Sequence, residues 1–252
     1  MSNKLINNIL DTTGVRCVND QKTSCNTCQL NSICLPISLH ADEIDRLDEI
    51  VQRSRPLQKG AYLYRTNEAF GSIYAVRSGS VKAVSLSDNG EEQVTGFYLP
   101  GEVVGLDGIA NHRYTNSVSA LETASVCEIP FHRMAELSAK LPSLQHHLFR
   151  LLSQEITQDQ RIISLLSKSN ADQRIAALLL SISARNRRRN LSSMAFYLPM
   201  SRTDIGNFLG LTIETVSRVF SRLQKQGVLK VNRKDIEILQ IDALRNISAG
   251  VN

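Results

Sequence analysis

The segment SRTDIGNFLGLTIETVSRVFSR, residues 201–222, carries the signals of two short helices joined by a glycine turn. Ser201 can cap the free amides of the first helix, and Asp204 follows three residues later, as in a capping box. Gly210 stands at the turn, where a residue is needed that adopts positive φ without strain. Thr212 can cap the second helix. The segment therefore predicts a helix-turn-helix, a motif whose second helix enters the major groove of DNA.

The outer face of the second helix carries three polar side chains at positions i, i+3 and i+4, namely Glu214, Ser217 and Arg218. An arginine can donate to both acceptors of a guanine, and a carboxylate can accept from the amino group of a cytosine. The alternative is a solvated Glu/Arg pair. We expect these three residues to contact DNA, together with Arg202 and Thr212 near the starts of the two helices.

The flanking sequence predicts how this domain is completed. Apolar residues at helical spacing are predicted to face inward from the second helix; they are Ile213, Val216 and Phe220. The following stretch VLKVNRKDIEIL alternates apolar and polar residues around a basic turn, which predicts a hairpin wing. Arg233 and Lys234 at the tip of this wing would contact phosphate or form a solvated turn.

Charge is distributed unevenly along the 252 residues. The net charge is +5, but residues 168–252 hold 14 Lys and Arg against 6 Asp and Glu, whereas residues 1–167 hold 15 against 18. The basic excess accompanies the helix-turn-helix, as phosphate binding requires. The sequence shows no run of 18 apolar residues and no secretory segment, so we expect a cytoplasmic protein without a membrane partner.

Five cysteines in a chain of this length argue against a disulfide scaffold and for metal or redox chemistry. Cys25, Cys28 and Cys34 form a C-x2-C-x5-C motif in a polar segment that lacks the apolar neighbours needed to bury them. The fourth thiol would come from Cys17 or Cys127. Four thiolates suit either tetrahedral zinc or an iron-sulfur cluster, and the spacing alone does not decide between them. Reduced thiols without a metal are the alternative.

The middle of the chain changes from helical to strand-like patterning. Residues 40–53 have the apolar spacing of an amphipathic helix, and residues 55–135 form short alternating strands separated by turns. A long helical stretch follows from Pro142 to about Ser167. We therefore predict an α+β fold in four parts: a cysteine loop with an amphipathic helix at 1–54, a small β-barrel or roll at 55–136, a long dimerisation helix at 137–168, and a winged helix-turn-helix at 169–252.

The long helix carries an apolar seam whose spacings alternate between three and four residues, as in a coiled coil. The seam consists of Phe149, Leu152, Ile156, Asp159, Ile163 and Leu166. It predicts a homodimer, which suits two half-sites on DNA. The alternative is a helix packed on its own domain through a second stripe with Leu148, Leu151 and Ile162. Asp159 would face its symmetry mate, where like charges oppose association, unless it is rotated outward in a longer interface.

An enzyme is not expected. The sequence contains no G-x-x-x-x-G-K-[ST], H-E-x-x-H or G-x-S-x-G motif, and its five histidines show no ligand spacing. His146 and His147 are predicted to lie on the solvent side of the long helix.

The order of a cysteine loop, a β-roll, a long helix and a winged helix-turn-helix resembles that of the cyclic-AMP receptor/FNR superfamily of bacterial transcription regulators. Four stretches resemble its oxygen-sensing FNR/ANR branch: CNTCQLNSICLPISL, YAVRSGSVKAVSLSDNGEEQVTGFYLPGEVVGLDGI, ALETASVCEIPF and DIGNFLGLTIETVSR. The resemblance covers nearly the whole chain. It implies that the β-roll is a double-stranded β-helix like that of cyclic-nucleotide-binding domains.

The resemblance implies a [4Fe-4S] cluster that is stable without oxygen and is converted by oxygen to a [2Fe-2S] form before it is lost. Its ligands would be Cys25, Cys28, Cys34 and Cys127. In that family the cluster promotes homodimerisation through the long helix, and Asp159 lies at the position whose negative charge opposes it.

The resemblance also implies how DNA is read. Glu214, Ser217 and Arg218 match the positions that read TTGAT-like half-sites in an inverted repeat. The bound dimer would activate or repress anaerobic-metabolism genes by contacting RNA polymerase. Residues 89–92 and 185–191 are the predicted polymerase contacts, and solvated loops are the alternative for both.

Two features depart from the family pattern. Many relatives have a non-ligating cysteine where this chain has Gln21, and Cys17 is therefore taken as a spare thiol. Members that bind cyclic AMP grip its phosphate with an Arg-Ser pair, but the matching stretch offers Tyr114 and Thr115, with Arg113 out of register. No cyclic nucleotide is expected. A zinc-stabilised or a haem or nitric oxide sensor on the same scaffold is the alternative function, as is a DNA-binding dimer that senses nothing.

Overall fold

The computed structural model describes residues 24–87 and 89–251. Within these residues the chain forms seven α-helices and eleven β-strands. The helices are α1 (Ala41–Ile50), α2 (Phe131–Lys140), α3 (Pro142–Lys168), α4 (Ala171–Arg188), α5 (Arg202–Leu209), α6 (Ile213–Lys225) and α7 (Ile241–Ala249). The strands are β1 (Gln52–Arg53), β2 (Tyr62–Tyr64), β3 (Ser72–Ser78), β4 (Val81–Leu86), β5 (Glu92–Tyr98), β6 (Val103–Val104), β7 (Ser117–Ala120), β8 (Ser125–Pro130), β9 (Ala195–Tyr197), β10 (Leu229–Asn232) and β11 (Asp235–Ile238).

Eight strands form the β-roll, in two antiparallel sheets with the orders β1-β8-β3-β6 and β2-β7-β4-β5. Strand β3 is buried on both faces, because Ile73 and Ala75 belong to one apolar cluster and Val76 belongs to another. The cluster around Val76 draws side chains from both sheets and so holds them together. The predicted roll is confirmed.

A helical layer covers the outer face of the first sheet. Side chains from α1, α2 and the first half of α3 pack on Ile73 and Ile129, and Met134 of α2 is fully buried among them. Helix α1 ends at Ile50, earlier than the predicted 40–53, because Gln52 and Arg53 pair with β8 instead. Helix α2 was not predicted from the sequence and begins directly after β8.

Helix α3 presents two different apolar stripes. One faces its own chain: Leu148 and Leu151 pack with the helical layer, and Ile162 packs with the C-terminal domain. The predicted seam points elsewhere. Three of its side chains are 59 to 63% exposed, namely Phe149, Ile156 and Ile163, whereas Leu152 and Leu166 are half-buried. Both stripes proposed from the sequence are therefore present, and the seam has no partner within the described part of the chain.

The C-terminal domain is a winged helix-turn-helix. Helices α4 to α7 surround a core that includes Ile175, Ile205 and Val216, and the wing strands pair in the order β10-β11-β9. Strand β9 is an addition that the sequence pattern did not predict. The same apolar cluster also contains Val94 and Phe97 from β5, so the domain shares its core with the β-roll. No helix of the described residues combines the length and the apolar character needed to cross a membrane.

Candidate functional site

The four cysteines predicted as ligands line a single pocket. Cys25 begins the 3-10 turn Cys25–Thr27 and Cys28 directly follows it. Cys34 directly precedes the 3-10 turn Leu35–Ser38, and Cys127 lies in β8. All four thiols are free, and Leu47 and Ile129 are among the apolar side chains that complete the lining. The pocket thus joins the N-terminal loop to the roll. Cys17 and Gln21 lie outside the described residues.

Helix α1 anchors the cysteine loop through two carboxylates. The backbone N–H of Cys25 donates to Asp48 Oδ1 at 2.7 Å, and the side chain of Asn26 donates to Asp45. Arg53 also donates to Asp48. The guanidinium of Arg53 lies 3.9 Å from the sulfur of Cys25, so a charged pair borders the pocket.

Burial dominates the protonation of three of the thiols, Cys25, Cys34 and Cys127. It raises the pKa of Cys34 to about 12 and also raises the pKa values of Cys25 and Cys127. The guanidinium of Arg53 opposes this rise at Cys25, and Arg53 and Arg77 oppose it at Cys127. These three thiols therefore stay protonated unless a cationic centre takes the place of their protons, so metal binding would release protons.

The donor chemistry of the pocket fits a sulfur-ligated centre. Its lining contains four thiols but no imidazole and no carboxylate within the described residues. Four sulfur donors suit tetrahedral zinc or an iron-sulfur cluster. Among residues 24–87 and 89–251, no three His, Cys, Asp or Glu side chains stand close enough to hold a single metal ion. The thiols thus share one pocket but are not drawn together around one point.

The helix-turn-helix has the local geometry that its sequence predicts. Ser201 and Asp204 form the capping box of α5, and Ser201 Oγ accepts from the Asp204 N–H at 3.0 Å. Gly210 has φ 63° at the turn. Thr212 caps α6 by accepting from the Thr215 N–H at 3.2 Å. These contacts fix the start of the recognition helix α6.

The predicted DNA-contacting side chains of α6 are exposed on one face. Glu214, Ser217 and Arg218 all face solvent, and the pKa of Glu214 is lowered mainly by a hydrogen bond from its own backbone N–H. Sequence reasoning missed the continuation of this face, although it follows from helical spacing after Arg218. A shallow surface pocket is lined by Ser217, Arg218, Ser221, Arg222 and Lys225. Asp172 of α4 orients Arg222 through bonds of 3.1 and 2.5 Å.

Two residues of the helix-turn-helix, Arg202 and Ile213, lie in surroundings that the sequence did not indicate. The guanidinium of Arg202 lies 3.3 Å from the centre of the Phe220 ring, and burial lowers its pKa to about 10. The half-buried guanidinium thus packs over the Phe220 ring, and a DNA contact by Arg202 stays a prediction. Ile213 is 45% exposed and does not face inward; Val219 and Leu223 fill the core beside Val216 and Phe220 instead.

The wing tip and the long helix also differ in detail from the prediction. Arg233 is exposed at the tip, but Lys234 donates to the carbonyl oxygen of Pro199 at 2.5 Å. His146 is exposed as predicted, whereas His147 is only 3% exposed. Adjacent helix residues point in different directions, so helical spacing could have placed His147 on the inward face with Leu144, three residues before it.

Aromatic side chains fill the part of the roll where the sequence offers no Arg-Ser pair. The rings of Tyr64 and Tyr114 stack at 3.8 Å, and Tyr74 stacks on Tyr64 at 5.7 Å. Next to them, the carboxylate of Asp107 accepts hydrogen bonds of 2.7 to 3.1 Å from Thr115 and Asn116. The carboxylate of Asp107 thus holds the loop that precedes β7 in place.

Comparison with known proteins agrees with this architecture. The model of the Crp-like helix-turn-helix domain matches residues 173–247, and that of the cyclic nucleotide-binding domain matches residues 54–140. The transcriptional activator protein Anr of Pseudomonas aeruginosa is 52% identical over 226 residues, which cover 90% of this chain and 93% of that protein. The fumarate and nitrate reduction regulatory protein of Escherichia coli K12 is 44% identical over 224 residues, which cover 89% and 90%.

A solved structure has the same fold. FixK2 from Bradyrhizobium japonicum superposes with a TM-score of 0.73 at 27% identity, and the match covers 81% of this chain and all of that chain. Members of this family are transcription factors and not enzymes. The chain therefore belongs to the Crp/Fnr family of DNA-binding transcription regulators, next to its Anr and FNR members.

Proposed function

We propose that this regulator responds to oxygen through a [4Fe-4S] cluster held by Cys25, Cys28, Cys34 and Cys127. The observation that carries the proposal is the pocket lined by all four thiols, in a chain whose relatives are named Anr and fumarate and nitrate reduction regulator. Such a cluster, when bound, supplies an oxygen-labile inorganic centre. It would act in the cytoplasm, where its DNA is.

The residues around the pocket link it to the long helix. Cys34 leads directly into the 3-10 turn Leu35–Ser38, and Leu35 is buried in the same cluster as Leu144 and Leu148 of α3. Drawing the thiols together would therefore fix this turn against α3. We infer that occupancy of the pocket changes how firmly α3, the helix that carries the dimer seam, is held.

The exposed seam of α3 supports a homodimer. Phe149, Ile156 and Ile163 would be covered by the same residues of a second copy, which gives the twofold pairing that an inverted repeat requires. Asp159 lies in this seam, and desolvation already raises its pKa within one chain. Leu152 and Leu166 complete the proposed interface. The balance between apolar burial and this carboxylate makes the dimer responsive to the loop.

The dimer would present α6 to a TTGAT-type inverted repeat and would activate or repress genes of anaerobic metabolism. Glu214, Ser217, Arg218 and Thr212 are the proposed contacts with the DNA. For RNA polymerase the proposed surfaces are the turn at 89–92 and the segment at 185–191. Arg185 itself is held by Glu102 and by the Phe97 carbonyl, so the exposed Arg187 and Arg188 are the better contacts.

A cyclic nucleotide effector is not proposed. Three stacked tyrosine rings occupy the interior of the roll, and Tyr64 is 3% exposed. A phosphate would also meet the carboxylate of Asp107, which is bonded to the adjoining loop. Both features disfavour an anionic ligand there.

Anaerobic purification tests the cluster. We expect a brown protein with about four irons and four sulfides per chain, whose visible absorbance bleaches in air while the dimer dissociates on gel filtration. Cys28→Ala should lose the iron and the dimer, whereas Cys17→Ala should keep both. Stoichiometric zinc or a haem spectrum would support the alternative sensors. DNA binding by Cys28→Ala that equals the wild type with and without air would contradict the proposal.

The DNA contact is tested separately. Arg218→Ala should weaken binding to a TTGAT inverted repeat by about 1 to 3 kcal/mol, which is roughly five- to 150-fold, and should relax the preference at one G·C pair. Arg233→Ala should weaken binding to all sequences alike, because a phosphate contact carries no sequence information. Equal losses on specific and nonspecific DNA for Arg218→Ala would contradict its proposed role.

A further inference from the structure

Strand β5 lies at the edge of its sheet, since its one neighbour in the order β2-β7-β4-β5 is β4. The outer side of an edge strand presents unpaired backbone N–H and C=O groups. Here helix α5 of the DNA-binding domain occupies that side. The carboxamide of Asn207 accepts from the backbone N–H of Val94 and donates to the carbonyl oxygen of Glu92 at 2.7 Å. The side-chain amide of Gln93 donates a hydrogen bond of 2.5 Å to the backbone carbonyl oxygen of Asn207.

Asn207 therefore pairs with the strand as a neighbouring strand would. Its one side chain satisfies both a donor and an acceptor of the β5 backbone, two residues apart. Such pairing depends on direction, so it fixes the angle of α5 as well as its distance from the roll.

Two further contacts flank Asn207 on the same face of α5. Asp204 forms an ion pair of 2.6 Å with Lys82 of β4, and the Lys82 contact helps to lower the pKa of Asp204. Phe208 packs on Phe97 of β5 with ring centres 5.0 Å apart. Residues 204, 207 and 208 have the spacing of one helix face. A polar pair, a backbone-mimicking amide and an aromatic pair thus combine in one docking surface.

The docking surface leaves the recognition face open. Helix α5 packs on α6 through other residues, including the buried Ile205 and Leu209, and the exposed side chains of α6 are not part of the contact with β5. The link between α3 and α4 consists of residues 169 and 170 alone. The docking surface therefore acts together with this short joint, with the shared apolar core and with the contacts of Arg185 to Glu102 and the Phe97 carbonyl in setting the angle of the domain.

We infer that Asn207 is a positioning residue that fixes the recognition helix relative to the β-roll by pairing with the edge of β5. Two recognition helices must meet half-sites about one DNA turn apart, so a domain that rotates freely loses orientational freedom on binding. Docking removes that freedom beforehand. The inference rests on DNA binding by the family and not on the proposed cluster.

Asn207→Ala tests the inference in the full chain, with Thr203→Ala as the matched control, because Thr203 is exposed on the same helix. Hydrogen exchange of β5 is the direct measurement, and it needs neither iron nor DNA. We expect the Val94 amide to exchange roughly tenfold faster in Asn207→Ala and to be unchanged in Thr203→Ala. Binding to a TTGAT inverted repeat should weaken roughly tenfold, with the same dimer content.

Lys82→Met is the second variant, because it lies in the roll and leaves every residue of the helix-turn-helix unchanged. Like Asn207→Ala, it should speed the exchange of the Val94 amide and weaken DNA binding, but both effects should be smaller. If the Val94 amide exchanges at the wild-type rate in both Asn207→Ala and Lys82→Met, the inference is overturned. Faster exchange with tighter DNA binding would also overturn it, since the contact would then restrain the domain. If the wild type fails to bind the duplex, the proposed DNA sequence is wrong, and β5 exchange alone decides the docking.

Discussion

The backbone N–H of Cys25 donates to the carboxylate of Asp48 at 2.7 Å, and this hydrogen bond ties the first thiol of the cysteine loop to helix α1. Asp48 also accepts a hydrogen bond from Arg53, whose guanidinium lies 3.9 Å from the Cys25 sulfur. The same carboxylate thus fixes the backbone of a proposed ligand and the cation beside it. Residues that contact the ligands of a metal centre orient those ligands and tune the properties of the metal.

Asp48→Ala should weaken iron retention by roughly 10- to 100-fold under anaerobic conditions, because Cys25 loses its anchor and Arg53 loses its partner. Asp45→Ala is the matched control: Asp45 binds the side chain of Asn26 and touches no cysteine. Iron release to a chelator measures the effect, and alkylation of Cys25 in the apoprotein measures the anchor alone. Equal release from both variants would show that Asp48 has no special part in the site.

The cysteines of this site could be predicted from the sequence, whereas the residues that hold them in place could not. The short spacing of Cys25, Cys28 and Cys34 is visible in the sequence because the residues are neighbours in one loop. Asp48 is 23 residues away from Cys25, and it reaches the loop only because α1 packs on the roll. A carboxylate in an amphipathic helix looks like any solvated acid until that packing is known.

Gly206→Ala should destabilise the helix-turn-helix by roughly 1 to 3 kcal/mol, since overpacking in a tight contact costs about that much. A Cβ at this position would stand 2.6 Å from the backbone oxygen of Leu211, which cannot move without opening the turn. Gly71→Ala is the control, because a Cβ there meets nothing within 4 Å. Urea unfolding of both variants measures the difference. A Gly206→Ala protein as stable as Gly71→Ala would show that the turn adapts freely.

His147 should make the protein less stable as the pH falls. Burial, with a contribution from Arg150, lowers its pKa from 6.5 to about 4, and its Nδ1 lies 2.7 Å from the Arg150 guanidinium. Between these two pH values the unfolded chain binds a proton that the folded chain does not, so the free energy of unfolding decreases with falling pH. The change amounts to at most about 3 kcal/mol.

Unfolding curves at pH 7 and pH 5 test this dependence. His147→Gln should remove that part of the pH dependence, whereas His146→Gln should keep it, because His146 is exposed. The same slope in both variants would assign the dependence to other groups.

Local signals predicted the C-terminal domain better than its surroundings. Caps at Ser201 and Thr212 and a glycine at 210 act within a few residues, so the sequence alone places the two helices. The docking of α5 on β5 involves Asn207 and Glu92, which are 115 residues apart and carry no pattern that pairs them. The contact of Arg202 with the Phe220 ring was unpredictable for a related reason: a long, flexible side chain can reach either DNA or the ring, and no sequence pattern distinguishes the two.

Removal of the charge at Asp159 should strengthen the dimer of the cluster-free protein. The residue lies in the exposed seam between Ile156 and Ile163, and burial raises its pKa already within one chain. Two such carboxylates facing each other across a dimer would repel, and Asp159→Asn keeps the shape while it removes the charge. We expect a dimer affinity roughly tenfold higher than that of the wild type, whereas Asp159→Glu should stay as weak as the wild type.

Sedimentation of the apoprotein in air measures this affinity without a contribution from the cluster. Because protonation also removes the charge, the wild-type dimer should tighten as the pH falls towards the raised pKa of Asp159, and the Asp159→Asn dimer should not. If Asp159→Asn and Asp159→Glu dimerise equally, charge does not set the balance. The carboxylate must then point away from the twofold axis, and apolar contact along Phe149, Ile156 and Ile163 alone determines association.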